Sequence, residues 1–172
     1  MESNLNLEIS LRLNDLFHFL GFQTLMIRTT DISVYTEGES IAQKKISDLR
    51  HRVKMVNEAE NALLLSIHQN QFQESRYSGA QVFHNGREDS QALAQTLQNA
   101  LRNVLMPASK RQEKRAEGIY LMEHVECCAL LIECGFLSNP EEEAKLRSPE
   151  YQKKLCAVIA SVICNSLSKS NT

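Results

Sequence analysis

The sequence predicts an α/β domain whose mainly parallel, twisted sheet carries helices on both faces. Three observations lead there. Residues 63–67 and 129–132 are short and almost wholly apolar, without alternation, as strands buried on both faces are. Segments with helical spacing separate them, the mark of successive βα units. The chain has 172 residues, 42% hydrophobic and 23% charged, which suits one core in a soluble domain of average make-up. We read 1–172 as a single domain with a polar tail at 168–172.

Taken in order, Leu5, Ile9, Leu13, Leu16 and Leu20 recur every three or four residues, an amphipathic helix that Gly21 closes. Residues 22–27 read as a short strand, and 31–44 as a polar, irregular stretch. From Ser47 the pattern is helical again, with Leu49, Val53 and Val56 on one face. After the strand at 63–67 come a polar loop at 69–78, a strand at 80–84 and a helix at 88–105 carrying Leu93, Leu97, Leu101 and Val104. The charged stretch 107–118 reads as a solvated loop, Tyr120-Leu121 as a short strand and 129–132 as a buried one. Asn139-Pro140-Glu141-Glu142 has a cap, a proline at the first helical position and acids in the first turn; Ser148-Pro149-Glu150 repeats that signal before the last helix.

Composition excludes several classes. Nineteen Lys+Arg against 21 Asp+Glu give a net charge of −2, so bulk electrostatics offers nothing to nucleic acid. Six glycines and three prolines exclude a collagenous or low-complexity chain. No apolar run approaches the roughly 18 residues of a membrane span. The opening Met1-Glu2-Ser3-Asn4 has neither a basic nor an apolar region of an export signal. The five cysteines, at 127, 128, 134, 156 and 164, form no C-x2-C pair and read as structural or incidental thiols.

In sheets of this class ligands bind outside the carboxyl ends of the strands. His68 follows one buried run and Glu133 the other. A histidine at a strand end is commonly a hydrogen-bonded structural residue. A glutamate after four apolar residues is less ordinary, because buried glutamate needs a cation, a metal or a catalytic role beside it. Glu2, at a helix start, has a simple reading as a partner of the helix dipole. On their own these residues define an acid or metal site and no more.

Ser66-Ile67-His68-Gln69-Asn70 and Leu131-Ile132-Glu133-Cys134-Gly135-Phe136-Leu137-Ser138-Asn139 resemble the two signature segments of the zinc-dependent N-acetylmuramoyl-L-alanine amidases, the AmiC-like family. Arg52 and Asn57 stand as in the family's Arg-x4-Asn helix, and Glu2 with Leu5 and Leu7 resembles its glutamate-led helix opening. The resemblance runs from Glu2 to about Leu167. Gly79-Ala80-Gln81-Val82-Phe83 after Arg76-Tyr77-Ser78 looks most like the sporulation branch, which modifies spore-cortex peptidoglycan.

The resemblance implies one Zn2+ ion, with Glu2 and His68 as metal ligands and Glu133 as the catalytic residue. It implies a peptidoglycan substrate, cut at the amide between N-acetylmuramic acid and L-alanine, and work outside the cytoplasm at the cell wall or spore cortex; whether a protein activator takes part is left open by the sequence. The family's first strand and its Asp-x-Gly-His-Gly segment, which supplies the first zinc histidine, have no counterpart here; His18, His51, His84 and His124 do not match it. We therefore expect an amino-terminally truncated domain with impaired activity, a missing first strand and self-association along the sheet edge left open. The competing expectation is a degenerate, non-catalytic domain that binds cell-wall peptide or a protein. A nucleophilic hydrolase using Ser66 or a cysteine has little support, since no G-x-S-x-G elbow occurs.

Overall fold

The computed structural model describes residues 2–169. The elements are α1 (Glu2–Phe19), α2 (Ile41–Asn57), β1 (Leu63–Asn70), β2 (Gln81–His84), α3 (Glu88–Leu105), β3 (Lys114–Arg115), α4 (Tyr120–His124), β4 (Cys128–Phe136), α5 (Pro140–Arg147) and α6 (Pro149–Lys169). Ser168 and Lys169 close α6, and the last three residues of the expected polar tail lie outside the described residues.

The four strands lie in the order β1-β4-β2-β3. β1 runs parallel to β4, and β2 parallel to β3, but β2 meets β4 antiparallel. The sheet is therefore mostly parallel with one reversed junction. That reversal places the carboxyl end of β2 beside the amino half of β4, where His84 pairs with Leu130.

Alternation along β4 divides the core in two. Leu130, Ile132 and Cys134 face α1, α3 and α6 in the larger cluster, with Ile9, Leu97, Leu101 and Ile159. Ala129 and Leu131 face α2 and α4 in a smaller one, with Val56, Leu121 and Met122. Every one of these side chains is buried. On the larger face Gln98 of α3 accepts from Val82 N at 2.8 Å and donates to Ala80 O at 3.1 Å, standing in for a neighbouring strand beside β2, whereas buried Gln69 donates to Asn6 Oδ1 and leaves its own Oε1 without a partner.

Local chemistry explains the helix ends. At the end of α1, Gly21 at φ +86° adopts a conformation glycine reaches without strain, while Phe22 N reaches Phe17 O and Gly21 N reaches His18 O. The Phe17 and Phe22 rings, 6.0 Å apart, supply the apolar contact that goes with this stop. The buried seam of α1 is Leu5, Ile9, Leu13 and Phe17. Phe17 thus takes the place expected of Leu20, which lies past the helix and is exposed.

Four expectations need correction. The charged stretch 107–118 is not all solvated loop, because Lys114 and Arg115 pair with Phe83 and His84 as β3 and Ala116 is buried in the smaller cluster. Residues 22–27 are not a strand. Their burial alternates as a strand's would, but among the described residues no strand pairs with them, and without a ladder the pattern has nothing to hold it. β1 is likewise the last strand at its edge. Helix α2 starts at Ile41, six positions before Ser47, because Ser40 and Gln43 form a reciprocal capping box inside the polar stretch. Tyr120-Leu121 opens the short helix α4, whose Leu121 and Met122 fill the smaller core. The described residues contain no helix long and apolar enough to cross a membrane.

Candidate active site

β1 and β4 both extend beyond their apolar runs, so His68 and Glu133 lie inside the ladder as direct partners. Gln81 of β2 is opposite Glu133 from the other side. In register, these three side chains share one face and form a row across three strands. It is the face that carries α2 and α4, and those helices pack over its amino-terminal half. Glu2 comes from the first turn of α1, which stands at the carboxyl end of β1. Its Oε1 lies 3.2 Å from His68 Nδ1 and also accepts from Asn6 Nδ2 at 3.1 Å and Gln69 N at 3.4 Å. Each member of the Glu2–His68 pair leaves 43% of its side chain open, so solvent and ligands reach both.

The two carboxylates are tuned in opposite directions. Burial works to raise Glu2, but hydrogen bonds from Asn6, Gln69 and His68 outweigh it and hold the group below the usual carboxylate range. Glu133 has no such help. Burial, followed by the negative charge of Glu2, pushes it up to about 7. Its Oε2 is buried and has no hydrogen-bond partner. A carboxyl group poised near neutrality and left unsatisfied suits proton transfer better than support of the fold.

Oxygen and nitrogen ligands on two corners of a zinc tetrahedron, at about 2.0–2.1 Å from the metal, stand about 3.3 Å apart. Glu2 Oε1 and His68 Nδ1 are 3.2 Å apart, so this pair fits two such corners. Among the described residues no group of three or more His, Cys, Asp or Glu side chains is assembled to hold a metal. His84 lies three positions down β4 from Glu133 and takes a hydrogen bond from Gly86 N, while His124 faces Tyr120 O at the end of α4. Cys127 and Cys128 sit at the amino end of β4, far from the row. All five cysteines are free thiols.

Comparison with known proteins gives the family. Residues 1–165 match the family described as N-acetylmuramoyl-L-alanine amidase. The chain belongs to that family. It is 38% identical over 161 residues to the germination-specific N-acetylmuramoyl-L-alanine amidase of Bacillus subtilis, covering 92% of this chain and 68% of that one. The CwlD amidase from Clostridioides difficile, solved in complex with the GerS lipoprotein, superposes with a TM-score of 0.92 at 34% identity, over 97% of this chain and 86% of that one. An N-acetylmuramoyl-L-alanine amidase from Clostridium difficile 630 gives 0.78 at 26% identity, over 98% and 84%. The protein is thus a peptidoglycan amidase of the sporulation branch, as the motifs indicated.

In this amidase the other motif residues, joined by Glu142, hold the loops around the row. Most of the second signature segment clamps loops. Asn139 caps α5 through Glu141 N and Glu142 N, and its amide donates to Ser75 O at 2.9 Å. Ser138 Oγ accepts from Phe72 N. The two oxygens of Glu142 accept from Gly79 N and Phe136 N at 2.8 and 2.9 Å. Gly135 makes room for this, since a Cβ there would lie 3.2 Å from both Glu142 Oε2 and Leu146 Cδ1. Arg52 and Asn57 are also structural. Arg52 pairs with Asp48, which accepts from Val34 N, and Asn57 bridges His124 O and Glu126 N. The cap signal at Asn139 was readable in advance. The loop clamps, which join residues about sixty positions apart, were not.

Proposed function

We propose that Glu2 and His68 hold the zinc ion and that Glu133 is the general base and acid of the amide hydrolysis. The observation that carries this reading is Glu133 itself, a half-buried carboxyl with an unpartnered oxygen, one strand away from a hydrogen-bonded Glu–His pair. A zinc ion bound by that pair supplies a water of lowered pKa and polarises the amide carbonyl. In this reading Glu2, kept ionised by Asn6 and the Gln69 amide, offers an anionic oxygen, and the same contacts fix its direction toward His68. Glu133 takes the proton of the attacking water and returns it to the leaving nitrogen of L-alanine, a double role for which a pKa close to neutrality is suited.

The substrate is the peptidoglycan strand, and the place of action the cell wall or spore cortex, by likeness to the germination-specific relative. The lipoprotein complex of the Clostridioides difficile relative supports a protein partner for this chain as well. Replacing Glu133 with alanine tests the mechanism. Glu133→Ala should lower kcat on muramoyl peptides by about 10²–10⁴-fold while leaving bound zinc, measured by elemental analysis, unchanged. Retained activity would overturn the general-base role, and lost zinc would make Glu133 a ligand instead.

A further inference from the structure

Arg111 lies in the charged stretch that reads from sequence as a solvated loop, yet it is the most tightly held cation near the row. Its Nε donates to Ser78 O at 2.7 Å and its Nη1 to Gln81 Oε1 at 3.0 Å, and the guanidinium lies 4.7 Å from the centre of the Phe136 ring. All three partners are neutral. Five other arginines, 28, 52, 76, 87 and 147, pair with carboxylates. Arg111 has no carboxylate partner among the described residues, and Nη2 makes no hydrogen bond there. The nearby Glu142 is already committed to Gly79 N and Phe136 N.

Backbone geometry puts this charge on the catalytic face. The β1–β4 register slips between His68 and Asn70, so that Phe136, three residues after Glu133, pairs with Asn70, only two after His68. That extra residue turns Phe136 onto the face of His68 and Glu133. It is buried there outside both apolar clusters, against Phe72 and Tyr77 at 5.8 and 6.2 Å. Gly79, at φ +90° and with a would-be Cβ 3.6 Å from Arg111 Cδ, lets the loop close over the arginine stem. Across the face the order is thus Glu2 and His68 over β1, Glu133 over β4, and Gln81 with Arg111 over β2.

We infer that Arg111 is a substrate-positioning residue that binds a backbone or side-chain carboxylate of the stem peptide, so that the peptide leaves the scissile amide toward β2 and the sugar lies on the β1 side. The inference rests on the amidase reading, which puts the reacting amide over Glu133. Chemistry sets the direction. The glycan offers hydroxyl and amide groups at its reacting end, whereas the peptide carries carboxylates, and a guanidinium already fixed on two sides presents its remaining N–H groups with little freedom left to lose.

The test is equilibrium binding of L-alanyl-D-glutamate and of its diamide by titration calorimetry, with the wild type, Arg111→Met and Arg111→Lys. The wild type should bind the dicarboxylate about tenfold more tightly than the diamide. R111M should bind both alike, and R111K should keep part of the preference. A ratio near one in the wild type, or no binding of the dicarboxylate at millimolar concentration, overturns the inference, as does a ratio unchanged in R111M. If R111M fails to fold, a full wild-type ratio in R111K overturns it too, because lysine lacks the two-pronged geometry. Hydrolysis of a muramoyl peptide by the zinc-loaded wild type is measured separately. No hydrolysis there, with charge-selective binding intact, counts against the amidase reading and leaves the subsite standing.

Discussion

The two faces of the sheet are built on different terms. On the side of α1, α3 and α6, Leu97, Leu101, Leu130, Ile132 and Ile159 are wholly inaccessible, and the buried amides of Gln98 and Gln152 have partners for both oxygen and nitrogen, Gln69 at the end of β1 being the exception with an unpartnered Oε1. On the side of α2 and α4 the apolar packing stops halfway along the strands. Beyond it lie His68, Glu133 and Gln81, bordered by the Phe136, Phe72 and Tyr77 rings, and Glu133 keeps an oxygen without a partner. The same strand serves both faces, since alternate residues of β4 point opposite ways. One face carries the stability and the other is free to hold groups that cost stability, as reactive groups commonly do.

The largest effect should come from the closed face. Leu97→Ala removes a fully buried side chain between α3 and the sheet and should cost about 3–4 kcal/mol, read from denaturant unfolding. Activity per folded molecule should not change. A larger loss of activity than the unfolded fraction explains would mean that the faces are coupled and the contrast is too simple.

A smaller effect should come from the border between the faces. Both oxygens of Glu142 accept backbone N–H groups. Glu142→Gln leaves one acceptor and turns an amide N–H₂ toward a donor, at a cost of about 1–3 kcal/mol. Amide exchange at Gly79 and Phe136 should speed up together, because one carboxylate holds both. Acceleration at only one of them would show that the clamp works as two separate contacts.

How much of this could be read in advance follows the range of the interactions. Helix α3 was legible to the residue, and so was the Asn139 cap, because side-chain period and capping are local. The 22–27 segment has a strand's alternation and no strand's neighbour, and pairing is a property of two segments. The Ser40–Gln43 box was hidden in a stretch too polar to attract attention. At the site, Glu133 and His68 stood out as polar residues ending apolar runs, and their register made them neighbours. Arg111 and Gln81 did not stand out. Their contact spans thirty positions, and it depends on the reversed β2 and on a one-residue slip in β4, neither of which leaves a mark in composition.

The finest test of the contrast is the charge on Glu133. Burial and the Glu2 charge raise its pKa in the fold from 4.5 to about 7. At pH 4 the carboxyl is largely protonated both folded and unfolded, and contributes no pH-dependent difference. Between those two values the folded chain holds a proton that the unfolded chain has released, so stability falls as pH rises, and above about 7 the loss levels off. Glu133→Gln has the same shape and cannot ionise. In chelator-treated protein it should match the wild type near pH 4 and exceed it near pH 8 by on the order of 1–2 kcal/mol, after allowing for the solvent that reaches the group. Thermal unfolding across that range reads the gap directly. Added zinc should narrow it, because a cation beside Glu2 offsets the charge that opposes ionisation of Glu133. Equal stability at both pH values would mean that Glu133 is solvated or paired in solution, and the open face would then lack the unsatisfied group on which the proposed mechanism rests.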